Sequence, residues 1–334
     1  MEKRRLGVSS VDVSVIGLGG LHFGVYLDET QSTRLVHHAL DRGVNLIDTG
    51  PLYGNGQSET IVGKAIKGRR DQVVLTTKVG LARRTLPDGS FGVEVVPLRA
   101  DRIRECLEQS LRALGTDHVD LFQFHAFDAD TPVEDSFEVM DKLVAEGKIL
   151  AVGASNYDPA ELSAVVRAIG SNGWAPLVAL ESHYNMIERM VEKDLLPICA
   201  DNGVGVIPYR SLARGILTGK YRLGGPIPEK SRAADSWRVR NWLQDETLAL
   251  VAALEAFALK HGRSVVELSL AWLLAQPLVP TVLIGARDIE QFDACANAAT
   301  WSLSTAELAE IDAIVSTQGQ SERVLSLPEV YFEK

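Results

Sequence analysis

Cysteine is scarce in this chain. Its 334 residues include three, Cys106, Cys199 and Cys295, far apart and without CxxC spacing. That pattern excludes a disulfide framework and a zinc knuckle, and it points to a reducing, cytoplasmic compartment. Basic charge is short as well: 34 Lys and Arg stand against 44 Asp and Glu, a net charge of −10. Nucleic acid and anionic membrane are therefore excluded as partners, because both demand a basic patch. The opening MEKRRLGVSSVDVSVIGLGG has a basic head, but Asp12 and several serines and glycines interrupt what would be the apolar core of an export signal. Leu268 to Ala286 carries no charge, yet Pro277 and Pro280 divide it, so it reads as a buried helix and strand and not as a membrane span. P-loop, HExxH and GxSxG motifs are missing, and His22 stands where Gly17-Leu18-Gly19-Gly20 would need glycine to complete a dinucleotide fingerprint.

What is present is apolar and periodic. At 46% apolar residues the chain can bury enough surface to offset its conformational entropy. Short Val/Ile/Leu runs of the kind buried on both faces of a parallel sheet predict strands at Val13–Gly17, Asn45–Asp48, Val73–Lys78, Val119–His125, Ile149–Ser155, Leu177–Ser182, Val204–Tyr209 and Thr281–Gly285. Amphipathic helical patterns lie between them, as in Asp101–Leu114, Glu134–Ala145 and Leu248–Leu259. Gly43, Gly115, Gly147, Gly170 and Gly203 stand where each helix would end in a left-handed cap. Repeated β-then-α units predict a closed (β/α)8 TIM barrel of class α/β, spanning residues 1–334 as one domain. An open doubly wound sheet is the alternative. Outside the repeat lie an N-terminal β-hairpin over residues 2–15, a long segment over 211–243 and an extra C-terminal helix near Thr305–Val315 with a tail.

In such a barrel, chemistry gathers at the C-terminal ends of the strands. Polar residues end nearly all of these strands: Asp48, Lys78, His125, Ser155-Asn156, Glu181, Tyr209 and the Gly285-Ala286-Arg287 run, with Tyr53 in the loop after Asp48. Singly, each has a bland reading as a turn cap, a loop charge or a packed core residue. Jointly they make a proton-transfer device. A phenol titrating near ~10 is a poor acid; a nearby ammonium favours its phenolate, and a carboxylate holds the ammonium in place. Asp48, Lys78 and Tyr53 supply those parts, and His125 would meet the substrate oxygen. No side chain carries hydride, so an organic cofactor is needed.

The strand-end motifs GLGGLHFG (17–24), NLIDTGPLYGNGQSETIVGKAI (45–66), TTKVG (76–80), DLFQFH (120–125), EGKILAVGASNY (146–157), YNMIER (184–189), LARGILTGKY (212–221) and IGAR (284–287) resemble those of the aldo-keto reductases, in order and over essentially the whole chain. The resemblance implies a catalytic tetrad of Asp48, Tyr53, Lys78 and His125, with Tyr53 as general acid in carbonyl reduction. It also implies that Ser155, Asn156 and Glu181 meet a nicotinamide carboxamide and that Tyr209 stacks on the nicotinamide ring. The loop from Leu212 through Gly215 to Lys220 would cover the pyrophosphate, Arg210 would put a positive charge near the cofactor phosphates or the substrate mouth, and Gly285, Ala286, Arg287 and Gln291 would lie at the adenosine end. Leu21, His22, Phe23, Tyr26, Tyr53 and His125 would contact substrate, with loop 81–98, Ala126–Asp130, Trp237 and Trp242 completing the rim.

The chain departs from the family pattern in several places. Glu181 stands for the usual Gln, Arg210-Ser211 for Ser-Pro, Cys295 for Asn and Gly285 for a Lys found in part of the family. Arg287 still offers a planar fork for a 2′-phosphate, which makes NADP(H) the preferred cofactor and NAD(H) the second choice. The expected partner is a small carbonyl or alcohol substrate, with no metal. Two rivals keep the barrel: a cofactor-binding regulatory protein with little turnover, and a Schiff-base aldolase using Lys78 as nucleophile.

Overall fold

The apolar runs between glycine-capped helices assemble as a parallel sheet in the computed structural model, which describes residues 1–86, 91–229 and 231–316. The strands in chain order are β1 (Lys3–Arg5), β2 (Asp12–Ser14), β3 (Ile16–Gly19), β4 (Leu46–Asp48), β5 (Val74–Val79), β6 (Leu81–Thr85), β7 (Phe91–Val95), β8 (Val119–Phe124), β9 (Ile149–Ser155), β10 (Leu177–His183), β11 (Gly205–Tyr209) and β12 (Val282–Ile284). Eight of them form one sheet in the order β11-β10-β9-β8-β5-β4-β3-β12, every pair parallel. The sheet closes where β11 and β12 meet. No ladder joins those two among the described residues, and Pro208 in β11 has no amide proton to offer one. Val206 N donating to Leu278 O at 2.7 Å and Ser211 Oγ donating to Leu283 O at 3.0 Å cross the seam instead. The fold is the expected (β/α)8 barrel.

Two cores hold it. Inside the barrel, Leu46, Val74, Leu121, Ala151, Ala179, Ile207 and Leu283 pack on Leu6 and Val13 of the β1–β2 hairpin, which plugs the bottom. Gly7 lets the hairpin close: at φ +54, a Cβ there would meet Val178 O at 2.2 Å. The larger core lies between strands and helices. In the helix Ala100–Leu114, Ile103, Leu107, Leu111 and Leu114 form the buried stripe, and Gly115 ends the helix in left-handed conformation.

Three sequence expectations need correction. The first predicted strand is two: Ser14 ends the hairpin, while Ile16–Gly19 joins the barrel. Gly170 is not a cap, because its helix, Pro159–Asn172, continues until Gly173 takes the left-handed position at φ 68. Loop 81–98 contains the β6–β7 ribbon, which lacks alternating apolar residues because it packs little of either face; its tip, 87–90, lies outside the described residues. The uncharged run 268–286 is the helix Val265–Leu274 followed by β12, and no helix among the described residues is long and apolar enough to cross a membrane. The C-terminal helix is Thr305–Ser316; the tail after it is outside the described residues.

Candidate active site

β4 and β5 are neighbours in register, Asp48 opposite Thr76, so Asp48 and Lys78 emerge side by side at the barrel mouth. Lys78 is fully buried and pairs with Asp48 Oδ1, which also accepts from Thr76 Oγ1 at 2.6 Å. Glu181, at the end of β10, brings a second carboxylate to within 3.3 Å of the same ammonium. The turn at Tyr53–Gly56 carries the phenol back over the mouth: Tyr53 Oη lies 3.5 Å from Asp48 Oδ2, the Lys78 ammonium 5.0 Å from the ring centroid, and His125 packs edge-on with centroids 5.9 Å apart. The four expected catalytic residues therefore converge.

Their electrostatics differ from the sequence expectation. Burial, helped by Asp48 and Glu181, holds the Tyr53 phenol well above its ordinary pKa of 10.0. The expected acidification by Lys78 is corrected because two carboxylates already balance that ammonium. For Lys78, burial pulls its pKa down, but Asp48 and Glu181 outweigh it and the net shift is upward. A lysine held this firmly as a cation is a poor amine nucleophile, which disfavours the aldolase reading. Burial, with a smaller push from Lys78, keeps His125 well below 6.5 and thus neutral. Glu181 is pushed up to about 7 by burial, with Lys78 opposing and Asp48 assisting.

Next to this cluster runs a chain of polar contacts. Asn156, at φ 62 just past β9, donates to His125 O at 3.0 Å and Ser155 Oγ at 2.9 Å, and accepts from Tyr209 Oη at 2.6 Å. Ser155, Asn156, Glu181 and Tyr209 thus occupy one arc of the rim. The backbone after Tyr209 is strained: Arg210, Ala213 and Arg214 have φ of 55, 46 and 57. Gly215 follows at φ +93, where a Cβ would stand 3.1 Å from Lys220 Nζ. Leu212 opens this turn, half-buried against the core.

Across the seam, Arg287 lies 4.1 Å over the ring of Tyr26, and a Cβ on Gly285 would sit 3.1 Å from His22 Nε2. Burial, then Arg232 and Arg287, lower the His22 pKa to about 4. The residues after β12 and the loop after β3 therefore touch, which sets Tyr26, expected among the substrate contacts, against Arg287. Ala286 is buried in the core. Gln291 is engaged locally: its side chain donates to Asp288 and accepts from Arg287 N, which completes a helix cap.

Some rim expectations fail. Phe23 is completely buried, because the turn Gly20–His22 folds its apolar ring into the core beneath the mouth. Cys295, which stands where the family commonly has Asn, is buried in the core. Leu21, Tyr26 and Trp237 are exposed as expected, the last at 64%, while Trp242 lies under the Arg214 guanidinium at 4.9 Å. Ala126 and Asp128 are buried, and Asp128 accepts from Leu98 N at 2.8 Å, tying loop 81–98 to the β8 end. A cleft of about 230 Å³ opens outside the barrel between Pro51, Leu52 and Asn55, the β6 strand and Cys106; it borders the Tyr53 turn and contains no tetrad side chain.

Sequence reasoning missed the buried group behind the strained turn. Glu188 Oε2 accepts from His183 Nε2 and Asn185 Nδ2, each at 2.6 Å, while Arg214 Nη1 lies 3.5 Å from Oε1. His183 in turn stacks on Tyr209, with centroids 5.5 Å apart and planes at 21°. The signal was present in YNMIER and LARG, both apolar-flanked charged motifs, but only the fold shows that they meet.

The model of the Aldo/keto reductase family matches residues 15–316. The chain is 36% identical to the aldo-keto reductase YhdN of Bacillus subtilis, over 94% of both sequences. It is 33% identical to the L-glyceraldehyde 3-phosphate reductase of Escherichia coli K12, over 93% of this chain and 92% of that protein. A solved glycerol dehydrogenase of Gluconobacter oxydans superposes with a TM-score of 0.83 at 31% identity, covering 97% of this chain and 98% of the other. This chain belongs to the aldo/keto reductase family, and is an oxidoreductase that interconverts carbonyl compounds and alcohols with a nicotinamide cofactor.

Proposed function

We propose that the protein is an NADP(H)-preferring reductase of small aldehydes or ketones, acting reversibly, in the cytoplasm. The observation that carries this reading is the convergence of Asp48, Lys78, Tyr53 and His125 at adjoining strand ends. The donor set beside them fits a dinucleotide. A polar arc of Ser155, Asn156 and Glu181 suits a carboxamide, the Tyr209 ring a flat heterocycle, and the cations Arg210, Arg214, Lys220 and Arg287 a run of phosphates. The glycines at 215 and 285 let Lys220 Nζ and His22 Nε2 lie close to the backbone, where a Cβ would stand 3.1 Å from each. When bound, the nicotinamide supplies or accepts the hydride.

In the reductive direction Tyr53 Oη delivers a proton to the carbonyl oxygen as charge builds there. Its raised pKa suits a phenol that stays protonated until that charge appears. Lys78, fixed by Asp48, steadies the resulting phenolate, and neutral His125 donates a hydrogen bond to the same substrate oxygen. Leu21, Tyr26 and Trp237 shape the entrance. Small sugar-like carbonyls are the first substrates to test, since the relatives named above include a glyceraldehyde-phosphate reductase and a glycerol dehydrogenase. All three cysteines are free, in keeping with a reducing compartment.

The test is single-turnover oxidation of bound NADPH by a panel of aldehydes and ketones, followed by loss of its absorbance. Oxidation by at least one supports the proposal, and none by any member overturns it. Higher kcat/KM with NADH than with NADPH overturns the cofactor preference alone.

A further inference from the structure

Lys78 is held between two carboxylates, and only one of them is needed to fix it. Asp48 Oδ1 pairs with the ammonium from the neighbouring strand, and Glu181 Oε2 approaches it at 3.3 Å from the far side of the barrel. Glu181 is 4% exposed and also accepts from Gln123 Nε2 at 3.2 Å. Among the described residues both partners bond Oε2, which leaves Oε1 directed to neither of them. The other titratable groups around it are Tyr53 from the mouth turn, His125 from the β8 end and Tyr209 from β11, and each is held neutral by burial. Asp48 and Glu181, when both are ionised, set two negative charges against one ammonium, and Glu59, buried and accepting from Thr77 Oγ1 at 2.6 Å, faces the same ammonium and can only add to that excess.

An uncompensated buried charge is costly, and it is relieved either by taking up a proton or by binding a cation. From the geometry we infer that Glu181 is an electrostatic selector that favours the oxidised, positively charged nicotinamide over the reduced, neutral one. This inference rests on the proposed dinucleotide site. Glu181 is the register partner of Ser155, and Asn156 N donates to the Glu181 backbone carbonyl at 3.1 Å, so this residue ends its strand beside the groups that would hold the ring, with its carboxylate turned to Lys78 and Gln123. The bias leaves the overall reaction equilibrium untouched and shifts the balance on the protein toward alcohol oxidation.

The carboxyl's own titration gives the inference its signature. Burial pushes Glu181 up to about 7, so near neutral pH a substantial fraction is protonated. A cationic ligand favours the ionised form and lowers that pKa, and by linkage its binding expels a proton and tightens as pH rises through the transition. The neutral reduced ligand gains nothing from ionisation.

The experiment measures dissociation constants of NADP⁺ and NADPH from pH 6 to 8.5 for wild type and Glu181→Gln, which keeps size and hydrogen bonding but cannot carry the charge. Taking the ratio of the two constants cancels titration of the phosphate common to both forms. In wild type the ratio Kd(NADP⁺)/Kd(NADPH) is expected to fall by about tenfold over that range, and in the glutamine variant to stay flat. Calorimetry of wild type in buffers of different ionisation enthalpy should show proton release with NADP⁺ and less with NADPH, a test independent of whether the variant folds. Tight binding of both forms with the same pH-independent ratio in both proteins, and no difference in proton release, overturns the selector alone. Failure of both forms to bind overturns the dinucleotide site and the selector with it.

Discussion

The two halves of the barrel mouth are built by different means. On the β4–β5 side, Asp48 and Lys78 are fixed by an uninterrupted parallel ladder, and Lys78 is entirely enclosed. On the β11–β12 side no ladder is present among the described residues; a serine hydroxyl crosses the seam, and Arg210, Ala213 and Arg214 occupy left-handed backbone. Asp48 and Lys78, proposed to place the transferred proton within tenths of an ångström, sit on the half with the continuous ladder. Most of the cations proposed to meet a charged cofactor, Arg210, Arg214 and Arg287 among them, sit on the other half, where Arg210 and Arg214 have left-handed backbone.

Substitutions that read chemistry and binding separately would break this division if it is wrong. Tyr53→Phe should have the largest effect, lowering kcat by about 10³-fold, because it deletes the proton donor and disturbs no ladder. Cofactor Kd should stay within roughly twofold, measured by quenching of protein fluorescence. Retained turnover would remove Tyr53 from the chemistry. On the other side, Arg214→Ala should raise the cofactor Kd by about tenfold through loss of charge-assisted hydrogen bonds, with kcat at saturation changed by less than about threefold. An equal loss in kcat would mean that the Glu188 group is coupled to the tetrad through His183 and Tyr209.

The same division explains what the sequence revealed. Strands with a continuous apolar run ending in one polar residue, as at Leu46–Asp48 and Val74–Val79, could be read directly, because burial on both faces and a working rim impose that pattern. The tetrad was therefore legible. The Glu188 group was not, since its members are charged residues 26 and 31 positions apart whose burial depends on loops packing over one another. Nor was the fate of Phe23, because a single turn decides whether a ring beside the mouth faces solvent or core. The sign of the Tyr53 shift failed for a related reason: one ammonium beside a phenol lowers its pKa, but full burial, helped by the two carboxylates Asp48 and Glu181, raises it.

The clasp between Tyr26 and Arg287 sharpens the comparison on the binding side alone. The guanidinium 4.1 Å above the ring is held where it faces the end of β12. Tyr26→Leu keeps the apolar contact and removes the π face. It should reduce the kcat/KM preference for NADPH over NADH by about two- to fivefold, the worth of one partly exposed cation–π contact. An unchanged preference would show that Arg287 is positioned by its own helix cap through Gln291 instead.

The smallest effect is expected at the seam itself. Ser211 is buried, and its hydroxyl bonds Leu283 O at 3.0 Å and Pro208 O at 3.3 Å, joining two strands that no ladder joins among the described residues. Ser211→Ala leaves those carbonyls without this donor, a cost of about 1–2 kcal/mol. In a barrel of this size that corresponds to a fall of about 1.5–3 °C in Tm by scanning calorimetry. Because the tetrad is held by the opposite ladder, kcat should stay within about twofold and any functional change should fall on cofactor Kd. A loss of kcat matching that of a tetrad variant would show instead that closure of the β11–β12 seam holds Asp48 and Lys78 in place, making the two halves a single unit.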